Sequence, residues 1–189
     1  MSFLSKIQNL LFIRFRIVKY QFLSSGNLVG TKPKLVTPVL FSGKGSIEIG
    51  NNVQFGYAQS PNFYSHYSYI EARTTEAKIK IGSNVMINNA CSIVALSNIT
   101  IGDNCTIGIN FSVMDSNFHH LEANKRHDKN PPSKPIIIGE NVFIGNNVTI
   151  LKGVIIGKNS VIGSNSLVVK SVPENVIVSG NPAQVIKSL

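Results

Sequence analysis

The sequence predicts an all-β fold: a parallel β-helix of six-residue repeats, with a short helix in front and one extended loop. Three observations predict it. From residue 138 the chain reads IGENVF, IGNNVT, ILKGVI, IGKNSV, IGSNSL and VVKSVP, consecutive hexads that each open with Ile or Val. Gly-x-Asn recurs in that register at Gly50–Asn52, Gly82–Asn84, Gly102–Asn104, Gly139–Asn141, Gly145–Asn147, Gly157–Asn159 and Gly163–Asn165. The beat then breaks over residues 115–135, where His, Lys, Arg, Asn and Pro crowd together.

Residues 1–22 come first. Leu4, Ile7, Leu11, Phe15, Val18 and Phe22 follow helical spacing, and Lys6, Arg14, Arg16 and Lys19 stand among them with no anion. The pattern predicts a basic amphipathic helix. Such a helix either lies on an anionic membrane surface or packs on the first coil of the β-helix, and the sequence leaves both open.

Residues 23–181 are expected to form the β-helix. A strand alternates faces every two residues. A period of six with a large aliphatic always inside is therefore one short strand plus one turn. Three such units close a triangle of about 18 residues, and triangles stack at strand spacing, about 4.8 Å. Each opening aliphatic then sits on the one a full turn away. Small fifth-place residues fill the remaining interior, Cys91 and Cys105 among them. At the corners, Gly and Asn tolerate positive φ, and Asn side chains can stack on one another. The frame also holds in IGDNCT from 101, IGSNVM from 81 and IGNNVQ from 49.

Residues 115–135 interrupt this frame. The hexad due at residue 119 opens instead at Ile138, 19 residues later. A solenoid accepts an insertion at a corner, where the chain can leave and rejoin. An exposed loop is predicted, long enough to reach a neighbouring molecule. Residues 182–189 close the chain as a tail.

The totals bound the function. One domain is expected from 189 residues with 43% hydrophobic content. The net charge of +9 is concentrated before Glu48, the first acidic residue. Basic residues are not interleaved with aromatics along one surface, so nucleic-acid binding is not expected. No apolar run is long enough to cross a bilayer. Two cysteines make no disulfide framework, and a reducing, cytoplasmic setting is the expectation.

The hexads and the ending GNPAQVIKSL resemble the hexapeptide-repeat acyltransferases, over roughly residues 45–189. Within that family the DSNFHH stretch is most similar to bacterial sugar and polysaccharide O-acetyltransferases of the galactoside and maltose type. The resemblance implies a left-handed β-helix, acetyl-CoA as donor, no metal, and a homotrimer with sites in the grooves between prisms. It implies that His119 is the general base, with His120 as neighbour and rival. A neutral imidazole can take a sugar hydroxyl's proton as the oxygen attacks a thioester. Asp115 and Glu122 both remain open as the carboxylate that orients it. The resemblance further implies an oxyanion donor at the backbone N–H of Asn146 and acceptor contacts at Asn88 and Phe143. For the cofactor it implies a pantetheine channel at Gly163 and Ser164, and contacts to its phosphate end at Lys170, Gln184 and Lys187. Phe143 stands where relatives usually carry Trp, which keeps an apolar wall and loses an indole donor.

His119, His120 and His127 share one loop, whereas a zinc site on such a prism needs three His from separate coils. The outward sixth place holds Phe143, Ile155, Val161 and Leu167, an apolar row suited to a subunit surface. The expected function is acetyl transfer to a hydroxyl of a sugar or surface polysaccharide unit. N-acetylation of a nucleotide-linked amino sugar and a non-catalytic scaffold are the alternatives.

Overall fold

The computed structural model describes residues 3–189; Met1, Ser2 and the side chain of Lys6, all within the expected leader, lie outside the described residues. Its strands form three parallel faces of a left-handed prism, with six, eight and six strands. Coils succeed one another face by face, so consecutive strands in sequence lie on different faces. The predicted period is seen directly in the register: Ile138 pairs with Ile156, Ile144 with Ile162, and Ile150 with Val168. Each pair is one 18-residue turn apart. Earlier coils are larger, pairing Ile81 with Ile101 and Met86 with Thr106, which leaves more room at their corners.

The core is a column of aliphatics. Every opening residue from Ile138 to Val168 is buried, and so are the fifth-place residues Val142, Val148, Val154, Ser160, Ser166 and Val172. Cys91 and Cys105 are buried and free. Burial pushes the Cys91 thiol up to about 12 and moves Cys105 in the same direction. Phe55 at an opening place and Phe111 at a fifth place are buried too, so the column accepts two large rings among its aliphatics.

At the corners, Asn and Gly divide the labour differently from expectation. The Asn of all seven Gly-x-Asn units has φ between 55° and 61°, the left-handed region. Their side chains stack as ladders, Asn141 donating to Asn159 at 3.0 Å and Asn159 to Asn175 at 2.8 Å. A second ladder runs Asn62, Asn110, Asn147, Asn165. The glycines of these units are absent from the positive-φ residues. What they supply is clearance: a Cβ on Gly102 would lie 2.7 Å from the Gly139 carbonyl carbon, and one on Gly145 would lie 2.7 Å from the Ser164 nitrogen. Backbone stacks on backbone there, and no side chain fits between.

The first strand falls within the expected residues 23–181, and the tail takes a definite form. The prism begins at strand Asn27–Gly30, which pairs with Ser46–Ile49, well before the recognisable hexads. The tail is ordered: Ala183–Ser188 is a strand that turns back antiparallel on Val176–Gly180. It lies along the second face and ends the parallel stack.

From Phe3 onward the leader is helical, Phe3–Asn9 and Phe15–Leu23 being joined by a π turn at Leu10–Arg14. It packs on the protein, though not by the expected stripe. Ile13 and Ile17 are buried against Phe63, Leu35 and Val36. Leu4, Ile7, Leu11, Phe15, Val18 and Phe22 all remain exposed.

Candidate active site

The histidine loop leaves the prism after strand Ser112–Met114, at the corner between the third face and the first. Its neck is closed by hydrogen bonds. Lys134 N donates to Asp115 O at 2.8 Å, Ser116 bridges to Ser133, and Ser116 Oγ donates to Pro132 O at 3.1 Å. Loop residues therefore leave and rejoin the stack without disturbing it.

Asp115 is fully buried and serves this corner. Its carboxylate accepts from the backbone N–H groups of Leu96, Ser97 and Asn98, each at 2.7 Å, and from Ser97 Oγ at 2.8 Å. Four donors occupy it, so it does not orient His119. Glu122 does not either: it is exposed and precedes the short 3-10 turn Ala123–Lys125. Both expected carboxylate partners are thus corrected.

The partner is a backbone carbonyl. His119 Nδ1 lies 3.0 Å from Arg126 O. A carbonyl oxygen can only accept, so this contact calls for a proton on Nδ1, and in the neutral ring the lone pair then lies on Nε2. That is the tautomer a general base needs. Arg126 in turn donates through its guanidinium to Leu121 O, which ties the loop to itself. His120 is turned the other way, with Nε2 3.4 Å from Lys129 O.

His119 follows a strained residue. Phe118 has φ of 57°, an uncommon setting for a bulky side chain. Its N–H donates to Ser116 Oγ at 3.0 Å, and the Arg73 guanidinium covers its ring. Glu71 holds Arg73 through one oxygen, at 3.1 Å from Nε and 2.7 Å from Nη2. Glu71 raises the guanidinium pKa further and, with burial as the larger cause, raises that of the Tyr69 phenol. Sequence reasoning missed this clamp, because its members lie far from the loop in sequence.

Asn88, Asn146, Gly163 and Ser164 gather at a different corner, between the second and third faces. Asn88 is half-buried and lines an open depression with Gln54, Tyr57, Met86 and Thr106. Its Oδ1 accepts from Asn89 N. Asn89 itself is buried and pins an inserted segment, accepting from Tyr57 N and donating to the carbonyls of Tyr57, Ser60 and Pro61. Asn146 shares this corner with Gly163 and Ser164. Its N–H, the expected oxyanion donor, already donates to Ser164 Oγ at 3.0 Å, and its Oδ1 accepts from Ile109 N. Phe143 projects from the second face, half exposed, between Thr106 and Val161. Lys170 is exposed near the end of the prism, and Gln184 and Lys187 are exposed on the closing strand.

One chain therefore does not assemble these parts. His119 stands at one corner, and Asn88, Asn146 and Ser164 stand at another, with the third face between them.

A triangular left-handed β-helix with a histidine-bearing loop inserted at a corner defines a class of prism proteins. Within it, two hexapeptide-repeat families match parts of the chain. The family described as "Bacterial transferase hexapeptide (six repeats)" matches residues 135–170, and "Hexapeptide repeat of succinyl-transferase" matches residues 98–114. Galactoside O-acetyltransferase of Escherichia coli K12 is 38% identical over 75% of this chain and 63% of its own length. The chain spans about three-fifths of the length of the curated relatives it matches, from 58% to 63%. A solved maltose O-acetyltransferase from Clostridium difficile 630 superposes with TM-score 0.58 at 26% identity, covering 90% of this chain and 72% of its own. A hexapeptide-repeat acetyltransferase from Vibrio cholerae O1 biovar eltor, complexed with acetyl coenzyme A, gives TM-score 0.54 at 28% identity over 93% and 77%.

Proposed function

We propose that this chain is an acetyl-CoA-dependent O-acetyltransferase acting on a hydroxyl of a sugar or surface polysaccharide unit. The observation that carries the reading is the His119 contact with Arg126 O, which in the neutral imidazole directs the lone pair to Nε2 on an exposed loop. Nε2 takes the proton from the acceptor hydroxyl as its oxygen attacks the thioester carbonyl. The tetrahedral intermediate collapses, the C–S bond breaks, and the imidazolium returns the proton to the CoA sulfur. Transfer is direct, since Cys91 and Cys105 are buried and held protonated. The acetyl coenzyme A bound by the Vibrio cholerae relative supports the donor. Ser164 Oγ, which takes up the Asn146 amide, stands as the oxyanion donor, and Lys170, Gln184 and Lys187 as contacts to the cofactor's phosphate end. The donor sets the proposed activity in the cytoplasm.

The divided site supports a homotrimer. If the His119 loop of one copy meets the Asn88 and Asn146 corner of its neighbour, the separated parts become one groove. Phe143, exposed beside that corner, fits the face that would be covered.

The test is thiol release from acetyl-CoA across sugar alcohols, oligosaccharides and nucleotide-linked amino sugars. Release with hydroxyl acceptors, abolished by His119→Ala, is expected. Release only with amino-sugar nucleotides would replace the O-acetyl reading with the N-acetyl one. No release with any acceptor, and no CoA binding, would leave a scaffold.

A further inference from the structure

The helix at the front of the chain and the depression at Asn88 share one support. The segment that interrupts the second coil starts at Tyr57, which lines the depression, and runs to Tyr67. Asn89 pins its beginning from within the prism. The helix grips its end: Tyr20 stacks on Tyr67 with ring centroids 4.5 Å apart, and Arg16 donates to the carbonyls of Tyr64 and His66. Phe63 completes the grip by packing on Ile13 and Ile17. Helix, insertion and depression are thus one continuous body.

The docked side of the helix carries Ile13, Arg16, Ile17 and Tyr20. Half a turn away runs the ridge of Leu4, Leu11, Phe15, Val18 and Phe22, with Phe22 at 88% exposure. Arg14 and Lys19, both exposed, flank this ridge on opposite sides. The chain carries no acidic residue before Glu48. Apolar ridge between cations, with the far side anchored in protein, is the geometry of a helix lying in an anionic lipid interface. Among the described residues no helix is long and apolar enough to cross a membrane, so this one would lie flat.

We infer that the ridge docks the protein on an anionic bilayer, and that the acceptor is a glycan carried on a lipid in that surface. Acceptor class rests on the O-acetyltransferase reading; bilayer docking does not. The link between them is structural: the insertion that walls the Asn88 depression is the segment the docked helix holds. A glycan emerging from the membrane meets that depression without the protein leaving the surface.

The experiment has two readouts. The full chain is sedimented with vesicles of equal parts phosphatidylglycerol and phosphatidylcholine, and with phosphatidylcholine alone. Binding to the anionic vesicles only, falling with added salt, is expected. Phe15→Glu changes an exposed position and should weaken that binding at least about ten-fold, the order set by burying one Phe side chain. Equal binding to both vesicles, or to neither, overturns the docking. So does a Phe15→Glu protein that binds vesicles normally but loses solution mass, which would make the ridge a contact between copies. Acetyl transfer to a lipid-linked glycan in the same vesicles is then compared with transfer to the free glycan. A preference for the lipid-linked form that Phe15→Glu erases supports the acceptor class; equal rates on both forms overturn it. No transfer to either form, with vesicle binding intact, marks a failure of the enzymatic reading and overturns the acceptor class with it.

Discussion

The Arg73 guanidinium sits 4.2 Å from the centroid of the Phe118 ring, and Phe118 is the residue whose left-handed backbone delivers His119. The two come from different coils. Arg73 is fixed by Glu71 and Phe118 by Ser116, so the contact joins the histidine loop to the third face. A partly exposed cation–π contact is worth about 1 kcal/mol, or roughly five-fold in an equilibrium. Arg73→Met should therefore lower turnover several-fold while leaving the affinity for acetyl-CoA and the melting temperature nearly unchanged. Phe118→Ala should do the same. Because both act through one contact, the double variant should lose no more than either alone. Additive losses would mean that Arg73 acts elsewhere.

His119→Ala should cut acetyl transfer by roughly 10²–10⁴, the usual range for a lost general base. Folding should be intact, since the side chain is exposed and bonds only to its own loop. His120→Ala should cost far less, its longer contact with Lys129 O leaving it outside the mechanism. Asp115→Asn should instead reduce thermal stability, because the buried carboxylate accepts four hydrogen bonds at the 96–98 corner. Loss of turnover in Asp115→Asn with no change in melting would restore it as a partner of the histidine.

How much of this was legible beforehand depends on whether a residue acts within the repeat or across coils. Ile138, Ile144 and Ile150 announce the core because their period is fixed by the prism itself. Asn141 and Asn159 announce the corners because few residues accept their backbone. The glycines were read for the right place and the wrong reason: their role is clearance to the next coil, which a single repeat does not display. Asp115 looked catalytic because it stands four residues from His119, yet its partners are 17 to 19 residues back, on the coil below. Arg73 and Asn89 were not singled out, since each acts through a partner distant in sequence, Phe118 for Arg73 and Tyr57 for Asn89. In the leader the spacing was right, but the stripe that looked ready for burial is the one left in solvent.

The buried thiols give a pH dependence of known sign. Cys91 holds its proton up to about 12 when folded, against 9.0 ordinarily, because burial disfavours the thiolate. A raised folded pKa means this contribution to stability is complete below the unfolded value and is lost as pH rises through the folded one. Melting temperature should thus fall between about pH 9 and pH 12. At pH 8 a thiol reagent should label the native protein slowly and the urea-unfolded protein at once. Fast stoichiometric labelling of the native form would reopen a covalent acetyl-enzyme.

The corner chemistry separates clearance from backbone handedness. Gly102→Ala places a methyl 2.7 Å from the Gly139 carbonyl carbon and 2.8 Å from the Glu140 nitrogen, both backbone atoms that cannot swing aside. It should destabilise strongly, by about 1–3 kcal/mol or more, as overpacking does. Asn159→Gly keeps the left-handed corner and loses only its ladder bonds to Asn141 and Asn175, about 1 kcal/mol. Asn159→Ala loses the same bonds and adds the left-handed penalty, about 1–2 kcal/mol more. Urea denaturation of the three variants checks the ranking. Equal losses for Asn159→Gly and Asn159→Ala would show that the ladder, and not the φ of 61°, sets this corner.

Phe143 tests assembly and catalysis together. It is half exposed on the second face, above Val161 in register, and it borders the corner of Asn146. Its partner strand bonds are backbone only, so Phe143→Glu should leave the prism folded, with an unchanged circular dichroism spectrum. In a trimer the same charge would be buried against a neighbour, which costs several kcal/mol unless it is paired. The wild type should therefore sediment at three times 20.6 kDa and Phe143→Glu as single chains. Turnover should vanish with the trimer, because a lone chain holds His119 at one corner and Asn88 and Asn146 at another. Mixing inactive Phe143→Glu chains with inactive His119→Ala chains should restore some activity only if mixed trimers form, since each then supplies the part the other lacks. A wild-type monomer with full turnover would require the loop of a single chain to reach across its own third face, and would remove both the shared groove and the reason for the trimer.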